Sequence, residues 1–179
     1  MSFVLRYMPV HVGYLTYAWI LLFEVLQHVK QQVRRHSDRQ FQPATVVTDF
    51  EYLLMIAVET ELPRSSINGC YFHFSQSIWR RITKLGLSSP YRRHTRLRKL
   101  LSKLMAIGFL PVAVVRLNFN NLKTSQQTRN VIRVFPQVTR LFEYMERTYI
   151  SANSPFPIQY WNVFNRTMNT RTNNSLESE

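Results

Sequence analysis

An α/β fold, with a parallel sheet in the first part of the chain and a helical block in the rest, is predicted by three observations. A strand pattern at Ala44 to Thr48 follows a helical pattern at Thr16 to Val33, which itself follows an extended stretch from Phe3 to Leu15. Strand, helix, strand order favours parallel pairing through a crossover. A third strand pattern, Ser66 to Phe74, comes after a second helical segment, and from Ser75 onward helical spacing dominates.

In order, the extended opening carries Val4, Tyr7, Val10, Val12 and Tyr14 among polar and turn residues. Ala18, Leu21, Leu22, Val25, Val29 and Val33 then recur at helical spacing, so this helix is expected to lay one face on the sheet. The polar run Arg34 to Pro43 connects it to the β-branched strand Ala44 to Thr48, which ends at Asp49. Phe50 to Glu61 holds no Gly or Pro and stops before Pro63, which reads as a helix with Glu51 in its first turn. After the third strand come helices at Ser75 to Leu85 closed by Gly86, at Thr95 to Ile107 closed by Gly108, and at Pro136 to Ile150. In the last of these Val138, Leu141, Phe142, Met145 and Tyr149 share a face. The tail Asn169 to Glu179 is polar.

The chain has 179 residues, enough for one well-buried domain. Its apolar stretch from Leu15 to Leu26 is interrupted by Glu24 and is shorter than the roughly 20 residues of a membrane span, so no membrane partner is expected. The single cysteine, Cys70, excludes an internal disulfide and fits a reducing compartment.

Charge is distributed unevenly. The formal net charge is +13, and between Glu61 and Glu143 there is no acidic residue. The cations of this stretch are densest at Arg80, Arg81, Lys84, Arg92, Arg93, Arg96, Arg98, Lys99 and Lys103. Positive charge without internal neutralisation is the footprint of a polyanion partner, nucleic acid first and an anionic membrane surface second. In the Thr95 to Ile107 helix the face made by Leu97, Leu100, Leu101, Leu104 and Met105 would hold the helix to the domain. Arg96, Lys99 and Lys103 on the other side would lie along phosphates, which positions DNA without reading its sequence.

Two further groups invite a chemical reading. Asp49, one of only two aspartates, stands at the carboxyl end of a strand, where open α/β sheets place their chemistry. An aspartate at that position can equally cap the following helix. Cys70 and His73 are three residues apart; on a strand they would point to opposite faces unless a turn intervened, and no further ligand pair completes a zinc site.

Several strings, in this order, resemble the transposases of Mutator-like elements over nearly the whole chain. They are Val47-Thr48-Asp49-Phe50-Glu51, Gly69-Cys70-Tyr71-Phe72-His73-Phe74-Ser75-Gln76 and Leu85-Gly86-Leu87. Gly108-Phe109-Leu110-Pro111, Tyr160-Trp161-Asn162 and Arg171-Thr172-Asn173-Asn174-Ser175-Leu176-Glu177 come after them. The resemblance implies an RNase H-like core with a DDE acid triad that binds two divalent metals, Mg2+ or Mn2+, for phosphodiester chemistry. Asp49 matches the second acid and Glu177 the third, both as catalytic metal ligands, and Cys70 with His73 matches the family's Cys-x-x-His element.

By the same resemblance residues 1–75 are the sheet-containing core, 76–168 the helical insertion, and 169–179 the start of the helix carrying the last acid. The family's first acid lies on an opening strand upstream of the segment resembling Met8 to Val29, so the expectation is an incomplete sheet that lacks its first strand and that acid. The function expected on this resemblance is that of a nuclear transposase remnant, inactive alone, with residual nonspecific DNA binding and possible self-association. The alternatives are part of a longer active transposase, or a domesticated interaction protein without catalysis.

Overall fold

A computed structural model of the chain describes residues 12–37 and 39–166, with side chains from residue 20 onward. The expected extended residues 3–11, and Glu177 with the rest of the tail, lie outside the described residues. The chain divides into two compact units, Met1–Ile67 and Asn68–Glu179.

The first unit opens with α1 (Val12–Ser37), then β1 (Thr45–Thr48) and α2 (Tyr52–Glu61). Helix α1 begins before the expected Thr16, so Val12 to Leu15 are helical rather than extended. It packs on α2. The turned-in residues of α1 are Leu22, Leu26, Val29 and Val33, whereas Leu21 and Val25 are 61% and 52% exposed. The inward stripe is therefore rotated from the one expected, because Leu26 joins it and the Leu21–Val25 pair leaves it. Helix α2 is apolar almost all round, and Met55, Ala57 and Val58 are buried. Glu51 is its N-cap residue and makes no side-chain capping bond, in place of the first-turn position expected.

At the other end of α2, Glu61 is 7% exposed, a carboxylate buried where the helix dipole disfavours it. Two α1 side chains offset this: Gln27 donates to its Oε2 at 2.6 Å and Lys30 at 2.9 Å. Lys30 Nζ also donates to the Glu61 carbonyl at 3.0 Å, so one ammonium satisfies a charge and a helix-terminal acceptor together. Lys30→Met is expected to lower stability by about 1–3 kcal/mol, since it strands a buried carboxylate, and adding Glu61→Gln to it is expected to restore part of the loss. Urea unfolding of the two variants checks this.

Strand β2 (Ser66–Gly69) pairs in parallel with β1, giving a two-stranded sheet. The coarse α/β expectation holds, with helices predominating. The third strand, however, stops at Gly69 rather than Phe74: α3 (Tyr71–Lys84) starts there, with Cys70 as its N-cap residue. Phe74, Ile78 and Ile82, four residues apart, form its buried stripe, and burying that stripe outweighs the strand preference of the aromatic run before it.

The second unit continues with α4 (Ser88–Arg93), α5 (Thr95–Ala106), a 3-10 turn at Ile107–Phe109, α6 (Val112–Thr124), α7 (Gln126–Val134) and α8 (Gln137–Met145). A π-helical turn, Glu146–Ile150, and α9 (Ile158–Trp161) are the last elements among the described residues. Gly86 closes α3 as expected, at φ +72°, where its N–H bonds Thr83 O and the Leu87 N–H bonds Ile82 O. Gly108 acts differently. Its backbone is not left-handed; a Cβ there would meet the Tyr71 ring at 3.3 Å and Trp161 at 3.7 Å, so the residue is small to let rings pack against the chain.

Those rings make the centre of the unit. Phe74 stacks on Trp161 at 4.6 Å between centroids, and Tyr149 meets Phe74 edge-on at 5.1 Å. Helix α8 packs on α3 and buries Val138, Leu141, Phe142 and Met145 as expected, whereas Tyr149 of the same expected face belongs to the π-helical turn after it. Burial pushes the Tyr149 phenol well above the ordinary tyrosine range. It stays protonated and bonds Ser77 Oγ at 2.6 Å. Among the described residues no helix is long and apolar enough to cross a membrane.

Candidate nucleic-acid interface

The basic block occupies the end of α3, all of α4 and the outside of α5. In α5, Leu97, Leu100, Leu101 and Leu104 are buried, and that fixes the rotation of the helix. With 100° per residue, Arg96, Lys99 and Lys103 then fall within one exposed stripe on one flank. Arg98, also exposed, falls on the opposite flank, so the helix carries a row of three cations and one apart. Met105 is half-buried.

On α3, Arg80 and Lys84 stand four residues apart on the exposed side. Arg92 and Arg93 are exposed at the end of α4, one residue short of α5. Arg81 is set apart from this group. Its guanidinium lies over the Tyr144 ring at 5.4 Å, and its Nε is enclosed without a hydrogen-bond partner among the described residues. An arginine held on a ring face inside the unit is a packing element rather than part of an outward row.

Among the described residues there are two salt bridges, Lys30–Glu61 and Lys123–Glu146, and neither uses a cation of the block. Arg80, Lys84, Arg92, Arg93, Arg96, Arg98, Lys99 and Lys103 are therefore eight exposed charges with no acidic partner among the described residues.

The other expected residues lie outside this block in the sequence. Asp49 directly follows β1, is half-buried, and belongs to the first unit. Cys70 and His73 belong to the second, where they sit on one turn at the start of α3; the helix, not a bulged strand, places them on one side. Cys70 is fully buried. The His73 ring is half-buried against Phe72, and its Nδ1 is enclosed without a hydrogen-bond partner among the described residues. Among the described residues no three His, Cys, Asp or Glu side chains form a metal-holding group, and Asp49 is the one expected ligand included.

Arg166 was not singled out from sequence, yet it closes the neighbourhood of Cys70. It donates to Gly69 O at 2.7 Å and to the carbonyls of Tyr160 and Gln159. Burial pulls its guanidinium down to about 10, opposed by Tyr160 and Cys70, so it remains charged at neutral pH. A lone arginine far along the chain carries no periodic signal that would reveal such a role.

No family model, curated protein or solved structure matches the chain.

Proposed function

We propose that this chain binds DNA through its phosphates, without sequence specificity, using the exposed cations of α3, α4 and α5, and that it descends from the catalytic domain of a Mutator-like transposase. The observation that carries the binding is the eightfold exposed positive charge without an acidic counterpart from residue 62 to 142. Solvated guanidinium and ammonium groups spaced along helices release counterions from a polyanion on contact, which drives association with little dependence on base sequence. Support for the descent is the order of the resembling motifs, the position of Asp49 immediately after a strand, and the helical block that comes after Cys70 and His73. An RNase H-like core, with Asp49 and Glu177 as inherited ligands for Mg2+ or Mn2+, and a nuclear location belong to this same reading.

Titrating affinity against salt tests the binding. With roughly six phosphate contacts, log K is expected to fall with log salt at a slope of about −5 for any duplex sequence. Absence of binding at low salt, or affinity indifferent to salt, overturns it and favours an interaction protein that does not use DNA. On the same reading the purified chain does not cut DNA when supplied with Mg2+ or Mn2+. Metal-dependent nicking that Asp49→Ala abolishes would instead make it an enzyme.

A further inference from the structure

Beside the α5 row an open cavity of about 450 Å³ lies between α5, the turn after it, and the α6–α7 corner. Its walls combine two chemistries. Ile107, Leu110 and Leu122 supply apolar surface, while Asn118, Asn121 and Gln127 bring three carboxamides to the same space. Asn118 Nδ2 is engaged by Val114 O at 2.9 Å, which leaves its Oδ1 as an acceptor. The Asn121 and Gln127 amides make no hydrogen bond among the described residues, so each offers a donor and an acceptor.

The α6–α7 corner is held firmly. Ser125 Oγ accepts from the Thr128 N–H at 3.1 Å, and Thr128 Oγ1 donates to Leu122 O at 2.6 Å. The wall is thus formed before any ligand arrives, which lowers the ordering cost of binding.

Lys103 stands at the cavity and also ends the row Arg96, Lys99, Lys103. From Arg96 to Lys103 the helix rises by about 10 Å, the length of roughly three nucleotides. A strand whose phosphates track that row arrives at the cavity with its next base unsupported. A flat, mostly apolar body with donors and acceptors along one edge is what these walls would take, and paired bases cannot supply it because their edges and faces are occupied.

We infer that this cavity holds one unpaired nucleobase of a strand bound along α5, so that the protein favours single-stranded or locally unpaired nucleic acid over duplex. The inference rests on the DNA-binding reading, and a comparison of two strands separates the two. Affinity of the full chain is measured for oligothymidylate and for an abasic strand of equal length, which carries the same phosphates and no bases. Oligothymidylate is expected to bind about fivefold to tenfold more tightly. Ala106→Trp, which fills the cavity from an exposed helical position, and Asn121→Leu, which removes a carboxamide, are each expected to bring the ratio of the two affinities towards one.

Equal affinity of the unsubstituted protein for both strands overturns the base site and leaves phosphate binding standing. A preference that persists in Ala106→Trp places the base elsewhere and also overturns it. Binding of neither strand, at low salt, removes both readings.

Discussion

Reversing charge at Arg96, Lys99 and Lys103 together is expected to lower the proposed affinity for DNA by at least about a hundredfold at low salt and to flatten its salt dependence by about three contacts. The reason is geometric as well as electrostatic. Spaced three and four residues apart, these side chains share one exposed flank of α5, set by the burial of Leu97, Leu100, Leu101 and Leu104 on the inner face. Each substituted glutamate would both remove a proposed phosphate contact and add a repulsion. Arg98→Glu makes the useful contrast: the same charge change on the opposite flank is expected to cost about threefold, an effect of the overall field alone. Fluorescence anisotropy with labelled duplexes of unrelated sequence reads all four substitutions, and circular dichroism checks that the helices persist. Unchanged affinity in the triple variant would move the interface off α5.

Trp161→Ala is expected to cost about 3–5 kcal/mol, a large share of the stability of a unit this size. Trp161 is fully buried, stacks on Phe74 at an interplanar angle of 4°, and donates from Nε1 to the carbonyls of Tyr149 and Phe156 at 3.3 and 3.2 Å. Removal opens a cavity beneath Phe74 and leaves two carbonyl acceptors without that donor. Trp161→Phe keeps a ring against Phe74 and is expected to lose about 1–2 kcal/mol, the share due to the indole N–H and the smaller ring. Urea denaturation of both variants separates stacking from hydrogen bonding. A loss below about 1 kcal/mol in the alanine variant would mean that the aromatic cluster is not the centre of the unit.

The contrast between what could and could not be read from the chain reflects the range of each interaction. The Leu97 to Leu104 stripe, the Gly86 stop and the α8 face are local patterns, legible because a helix repeats within a few residues. The segment from Gly69 to Phe74 misled because aromatic residues and a cysteine favour strands locally, while its fate depends on where Phe74 packs, against a tryptophan 87 positions later. Helix α6 was hidden for a similar reason. Val112, Val114 and Val115 lack a helical preference, and only Val115 and Phe119 are buried in it.

For the candidate interface, net charge and spacing were visible, but the turning inward of Arg81 was not, since it depends on Tyr144 from another helix. The motif Tyr160-Trp161-Asn162 also has a structural account here. Besides the tryptophan, Asn162 Nδ2 donates to Leu110 O at 2.7 Å and its Oδ1 accepts from the Phe164 N–H, so these positions hold the end of the unit in place.

The bond from Arg166 to Gly69 spans 97 positions, and it has a meaning for the order of events during synthesis. Contacts of such separation form late, because the loop must be complete before its ends can meet. The start of α3 therefore waits for nearly the whole second unit to be made before its last partner arrives. Cys70, fully buried in the folded unit, offers a reporter for the process. Its thiol reacts with an alkylating reagent while the chain is still open and becomes protected as the unit closes, so protection of one sulfur reports the completion of folding.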